Sequence, residues 1–239
     1  VSGISGRRGL AVTEPAAKRP GRPEGGKRQV RADILNSAEM IFADNGYAGT
    51  TMREISEHAG ITQALITYYF RSKFGLFSET FLRRATVIAD CRIENLSQLR
   101  RRGLARDVAA LVEAFLQPVL DLRATAQGRA YLRLHARLHT EPPNLSYDLR
   151  KQAYDESTHL YVEALHDALP HLARIDVQWR MTLMIGTYLY ALSDTHRMED
   201  LMPDAYNAED AHHLMQEVIS FIVSGLGSSH SQGVSSANV

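Results

Sequence analysis

Residues 50–73, TTMREISEHAGITQALITYYFRSK, constrain the fold more tightly than any other stretch of this chain. Thr50 or Thr51 suits a helix N-cap, because a hydroxyl there accepts from the unpaired N–H groups of the first turn. Met52, Ile55 and Ala59 then recur at spacings of three and four, which predicts a short amphipathic helix with one buried stripe. Gly60 ends it where the backbone must turn left-handed. Ile61 forms the turn and Thr62 caps a second short helix. Two short helices joined by a glycine turn match the DNA-binding helix-turn-helix, whose second helix lies in the major groove.

At about 100° per residue, Ile66 and Phe70 centre the buried stripe of that second helix, with Thr62 and Tyr69 at its edge. Ala64 and Tyr68 point away from it, and Gln63, Leu65 and Thr67 flank them. A small residue at the middle of the outward face lets the helix sit deep in a groove. Gln63 can bond adenine bidentately, while Thr67 or Leu65 can pack on a thymine methyl. Tyr68, Tyr69 and Lys73 supply phosphate contacts, which fix register without reading sequence. The predicted DNA-binding set is therefore Thr50, Thr51, Gln63, Ala64, Leu65, Thr67, Tyr68, Tyr69 and Lys73. The alternative is that the two tyrosines are plain surface and core aromatics of a small bundle.

These residues resemble the TetR family of bacterial transcriptional regulators. The resemblance rests on Thr50-Thr51, Ile55-Ser56, Ala59-Gly60-Ile61-Thr62, Tyr68-Tyr69-Phe70 and Lys73. Upstream, ILNSAEMIFADNGYAGTT is similar to the family's first helix, with Ile34, Leu35, Ala38, Ile41 and Phe42 as core and Gly46-Tyr47 as its exit. The likeness is specific over residues 30–80 and architectural beyond them. Thr67 stands where the family usually has tyrosine, and Leu65 where it usually has a small polar residue. Both departures alter base preference, so the operator sequence does not carry over from relatives.

The overall charge of zero conceals an asymmetry. Residues 1–85 hold 13 Lys/Arg against 8 Asp/Glu, and residues 86–239 hold 14 against 19. A basic reading head on an acidic body suits a DNA-binding regulator. The chain of 239 residues is 44% hydrophobic and lacks an apolar run long enough to span a membrane. No apolar segment follows the N-terminal charges, so the expected location is cytoplasmic, without membrane association. One cysteine, Cys91, excludes a disulfide within a single chain and reads as a packing residue, with redox sensing as the alternative.

Residues 1–26 are rich in Gly, Pro and Arg and read as a disordered basic arm. Residues 18–23, KRPGRP, partly resemble an AT-hook that lays arginine in an A·T minor groove. Simple phosphate attraction is the other reading of that arm. Residues 27–72 form the expected head, residues 73–226 an effector-binding and dimerisation body, and residues 227–239 a disordered tail. The whole reads as all-α, with about nine helices. Ser72 caps a long connecting helix over 73–99, with Phe77, Phe81, Ile88 and Cys91 among its apolar positions. Further helices are predicted over 105–124, kinked or divided at Pro118, and over 127–139. Asn144 is expected to cap the next helix, which reaches residue 168, and Asp176 the apolar segment beyond it. The last helix is expected from about residue 208 to residue 225.

Residues 177–192 carry apolar side chains around most of the helix, so this helix must be buried on more than one side. Packing within one monomer and dimerisation both satisfy that requirement. A lone helix-turn-helix reads few base pairs, whereas two related by a two-fold axis read a palindrome. The family resemblance implies a homodimer through the last two helices, packed as a four-helix bundle. It also implies a small-molecule effector pocket between the connecting helix and the body. Candidates on this chain are Phe115, Tyr131, His135, Tyr154, Met184 and Tyr188.

Rival readings are weaker. His135 and His139 stand at i, i+4, and His212-His213 form another pair, which keeps a metal-sensing regulator open. A zincin motif needs Glu after the first His, and Ala136 is there. No nucleophile elbow or phosphate-cradling glycine loop is present, so no catalytic, metal or cofactor residue is predicted. An effector-free architectural DNA-binding protein is the remaining alternative, and it would bind many sequences alike.

Overall fold

A computed structural model describes residues 24–193, 196–203 and 210–228 of the chain. Residues 18–23, with their AT-hook resemblance, and residues 229–239 of the tail lie outside the described residues. The described residues form helices joined by short connections and contain no strand. The head consists of α1 (Glu24–Gly49), α2 (Met52–His58) and α3 (Gln63–Phe70). The connecting helix is α4 (Lys73–Arg101). The body adds α5 (Val108–Leu120), α6 (Ala126–Leu138), α7 (Pro143–Ala168), α8 (Arg174–Leu192), α9 (Arg197–Leu201) and α10 (Ala211–Gly227). A 3-10 turn, Asp121–Ala124, joins α5 to α6. Among the described residues, no helix is long and apolar enough to cross a membrane.

In the head, Ile34, Leu35, Ala38 and Phe42 of α1 bury against Ile55 of α2 and Ile66 and Phe70 of α3. α1 begins at Glu24, inside the stretch read as an arm, and is interrupted at Gly46 (φ 71°, ψ 177°). That break swings Tyr47 against Phe77 of α4, with ring centroids 5.1 Å apart, while Phe42 meets the same ring edge-on at 5.0 Å.

One buried stripe of α4 runs Phe77, Phe81, Ala85, Ile88, Arg92, Leu96 and Leu99 at spacings of three and four, and Leu76, Thr80 and Ala89 widen it. Cys91, expected among the apolar positions, is exposed, and the inward place belongs to its neighbour Arg92. Arg100 and Arg101 occupy the last turn of α4, where cations complement the helix dipole. Of the two outcomes expected at Pro118, division does not occur, since α5 continues to Leu120 before tightening into the 3-10 turn. A proline removes the N–H that would serve the carbonyl four residues back. That carbonyl, on Ala114, instead accepts from Nδ2 of Asn95 on α4 at 3.0 Å.

Ser72 caps α4 as expected, its hydroxyl accepting from Gly75 N at 3.0 Å, and other caps were not foreseen. Thr125 and Asp210 cap α6 and α10 through their side chains, accepting from Gly128 N at 3.0 Å and His213 N at 2.9 Å. Asn144 is not a cap. α7 starts one residue earlier at Pro143, whose missing N–H costs nothing in the first turn. Asp176 lies within the first turn of α8, with Ala173 at the cap position. A carboxylate there still favours the positive end of the helix dipole.

The most extensive packing between helices sets α1 of the head on α6 of the body. Glu39 of α1 is fully buried, and its carboxylate accepts from Arg83 (3.1 Å) and Arg84 (2.8 Å) of α4 and from Gln127 (2.7 Å) of α6. Arg133 of α6 donates to the Asp44 carboxylate at 2.9 Å, Arg137 donates to the Asp44 carbonyl at 3.0 Å, and Glu141 accepts from Tyr47 N at 3.1 Å. Head and body are therefore joined by a polar seam along one face of α6.

Candidate nucleic-acid interface and buried polar cluster

The helix-turn-helix is built by local chemistry. Thr51 is the cap of α2, where its hydroxyl accepts from Glu54 N at 3.2 Å and its own N–H donates to the Glu54 carboxylate at 2.7 Å. This reciprocal box satisfies two otherwise unpaired donors. The Thr51 hydroxyl and backbone bonds hold the Glu54 carboxyl below its usual range. Thr50 has a different part to play. It is 1% exposed, and its hydroxyl donates to the Gly46 carbonyl at 2.7 Å, which fastens the broken end of α1. Its side chain does not reach the surface expected to face DNA. Gly60 takes φ 65° at the turn, and Thr62 occupies the cap position of α3 without a side-chain bond.

α3 presents the face that its periodicity predicts. Ile66 and Phe70 are buried, Leu65 and Tyr69 are half-buried, and Gln63, Ala64, Thr67 and Tyr68 are exposed. Tyr68 is 68% exposed and stands edge-on to Tyr69, with centroids 5.3 Å apart. The Thr67 hydroxyl donates to the Gln63 carbonyl at 3.2 Å. Lys73 is half-buried, with its ammonium 4.5 Å from the centre of the Tyr47 ring. The exposed cations Arg53 and Arg71 lie on the same motif, and Lys27 and Arg28 of α1 are also exposed. Their positions at helix ends gave no periodic signal by which to single them out.

Only Arg71 and Ser72 separate α3 from α4. Arg71 sits at φ 67°, a conformation side chains rarely adopt, and Ser72 N donates back to the Phe70 carbonyl at 2.7 Å. A Cβ on Gly75 would lie 2.3 Å from that same carbonyl, so only glycine admits so close an approach.

The body holds a second concentration of functional groups. Arg92 of α4 is 1% exposed, with its guanidinium 3.6 Å from the centre of the Phe115 ring. Its Nε donates to the Phe115 carbonyl at 2.9 Å and its Nη2 to the Tyr188 hydroxyl at 3.3 Å. Tyr131 and Tyr154 share a hydrogen bond between hydroxyls at 2.9 Å. His135 stacks on Tyr154 at 4.9 Å, with Tyr131 at 5.9 Å and Tyr188 at 6.3 Å. Five of the six predicted pocket residues, Phe115, Tyr131, His135, Tyr154 and Tyr188, thus meet around Arg92. Met184 is buried one turn from Tyr188 and also lines the groove against Ile222 of α10. Arg92 itself escaped the sequence reading because arginine is rarely an inward residue.

Burial governs protonation here. It drives the Tyr131 hydroxyl well above its ordinary range and raises that of Tyr154 as well. His135 is held far below its usual value by burial, then by His139 and Arg92, so its imidazole is neutral. Burial and Arg150 lower His139 to about 4. The ring centroids of His135 and His139 are 5.5 Å apart, and among the described residues no group of three metal-binding side chains forms around them or elsewhere.

On the surface of α8, Ile175, Trp179, Leu183 and Tyr190 form an exposed stripe at helical spacing, and Phe221 of α10 is also exposed. Trp179 is 64% exposed and Leu183 65%, so the second buried side expected of this helix is open in the single chain.

Comparison with known proteins covers both halves of the chain. The model described as bacterial regulatory proteins, tetR family, matches residues 34–80, and the tetracyclin repressor-like C-terminal domain matches residues 113–225. The probable HTH-type transcriptional regulator YttP of Bacillus subtilis is 42% identical over 50 residues, which is 21% of this chain and 24% of that protein. The HTH-type transcriptional regulator AcrR of Shigella flexneri is 29% identical over 105 residues, 44% of this chain and 46% of that one. The chain thus spans less than half the length of either relative. A solved tetR-family regulator from Shewanella sp. PV-4 is 21% identical and superposes with a TM-score of 0.57, covering 81% of this chain and 95% of its own, which is agreement in fold. Head, linker and body agree with one architecture, and the chain belongs to the TetR family of transcriptional regulators, DNA-binding proteins that are not enzymes.

Proposed function

We propose that this chain acts in the cytoplasm as a homodimeric, ligand-responsive repressor of a palindromic operator. The observation that carries the reading is the exposed face of α3, where Gln63, Ala64, Thr67 and Tyr68 stand outward on a short rod whose other face buries Ile66 and Phe70. Gln63 reads an adenine edge, and the Thr67 methyl meets a thymine methyl. Tyr68, Tyr69, Lys73, Arg71 and the cap of α2 at Thr51 hold phosphates. The apolar stripe on α8, with Phe221 of α10, joins two copies and sets the separation of their reading helices.

The buried cluster around Arg92 and His135 is the effector site. α6 presents His135 to that cluster and Gln127, Arg133 and Arg137 to the head. A ligand that favours a displaced α6 therefore loosens the seam with Asp44 and Glu39 and changes the head's position. Such a ligand shifts the population away from the operator-binding conformation.

Selection of binding sites from random DNA tests the reading face. The wild type is expected to favour one palindrome, and Gln63→Ala and Thr67→Ala should each relax a base position at a cost of about 1–3 kcal/mol. Variants that bind more weakly without relaxing any position would show that this face does not read bases.

A further inference from the structure

The core of the body contains a cation without a counter-ion. Arg92 is buried, and no carboxylate among the described residues pairs with it. Its neighbours are rings, with Phe115 beneath it and Tyr154 and Tyr188 at 5.4 and 5.7 Å. Aromatic faces attract a guanidinium but do not neutralise it. A buried charge left in this state is costly, and apolar replacements at such positions are often neutral or stabilising. Two neutral hydrogen-bond acceptors, the Phe115 carbonyl and the Tyr188 hydroxyl, do not balance that cost.

The groups beside it point the same way. His135 is 1% exposed, and neither ring nitrogen has a hydrogen-bond partner. Its ring and the Arg92 guanidinium both lie against Tyr154. The Tyr131 and Tyr154 hydroxyls carry two protons and use one of them between themselves. The cluster therefore holds a surplus of donors and one uncompensated positive charge, enclosed by aromatic walls.

We infer that the effector of this regulator is a small carboxylic acid with an apolar or aromatic body, its carboxylate seated on Arg92 and taking a further hydrogen bond from His135 or the tyrosine pair. This rests on the ligand-responsive reading given above. A carboxylate fits better than a phosphate monoester, because Arg92 supplies a single positive charge and the neutral His135 adds none. A dianion would remain half uncompensated in a site of low polarity. Arg92 and carboxylate also match as planar partners. Entry of the acid replaces Tyr188 as the partner of Nη2 and separates α8 and α6 from α4, so occupancy and rearrangement are one event.

The test uses the full chain with benzoate, phenylacetate and octanoate, each against its primary amide. Calorimetry reads binding and fluorescence anisotropy reads operator release. At least one acid is expected to bind about 10-fold or more tightly than its amide, as a charge-assisted bond would make it. Arg92→Met is expected to lose that preference while its unliganded Tm equals or exceeds that of the wild type. The acid–amide contrast needs no variant, so a poorly folding Arg92→Met leaves the test intact. Acids that do not bind, amides that bind equally well, or an Arg92→Met protein that keeps the preference would each overturn the inference. Release of operator by amides as readily as by acids would leave ligand response standing and remove the anion. Arg92-dependent binding of an acid with no change in operator affinity would do the reverse.

Discussion

Glu39 and Arg84 meet across the boundary between head and connecting helix, the Nε of Arg84 lying 2.8 Å from a carboxylate that has no exposed surface. Arg83 and Gln127 complete the set of donors. Replacement by alanine strands those donors beside an apolar gap. Because both arginines are about a quarter exposed, they can recover water in part. Glu39→Ala is expected to lower unfolding stability by about 2–4 kcal/mol, read from urea melts. A loss under half a kcal/mol would mean that the seam is held by packing alone.

The cap of α2 is separable from the reading face. Thr51→Ala removes the hydroxyl that serves Glu54 N and should cost about 1 kcal/mol. Thr51→Ser should keep most of it. Amide exchange in the first turn of α2 would report the difference, with faster exchange expected only in the alanine variant.

Acid should weaken the fold through α6. His139 is held at about 4, against an ordinary 6.5, by burial and Arg150, and burial also holds His135 well below its usual value. The unfolded chain therefore binds protons that the native chain refuses. Stability is complete above pH 6.5 and falls as pH drops from there toward about 4. Urea midpoints measured down that range should decline, and His139→Gln should flatten part of the slope. An unchanged slope in that variant would assign the acid sensitivity elsewhere.

The stripe on α8 is exposed in the single chain, so altering it should spare the monomer. Leu183→Glu and Trp179→Glu are expected to yield monomers in sedimentation, with secondary structure intact and affinity for a full palindrome reduced at least about 100-fold. A dimer that survives both changes would place the interface on another surface.

The head was legible because its signals are local. A threonine box, a glycine at positive φ and two apolar stripes each act within a few residues, and α2 and α3 follow them. Thr50 and Thr51 could not be told apart in that way, since the bond that claims Thr50 comes from Gly46, freed by a break in α1. In α4 the spacing from Ile88 to Leu96 indicates position 92, but an arginine there reads as an outward residue, and attention passes to Cys91. What overrode that expectation is tertiary. Phe115 of α5 offers a ring and a carbonyl to the guanidinium. Glu39 is hidden for the same reason, because its partners come from α4 and α6.

The tight join at Phe70, Ser72 and Gly75 leaves no slack between the rod proposed to meet DNA and the 29-residue helix behind it. The pair must turn together as a single stiff lever, of which α4 alone is about 43 Å long. A tilt of about 5° at the body end would then carry the tip by roughly 4 Å, close to one base step along a duplex. In the proposed dimer, a change that small would put the two tips out of phase with their half-sites.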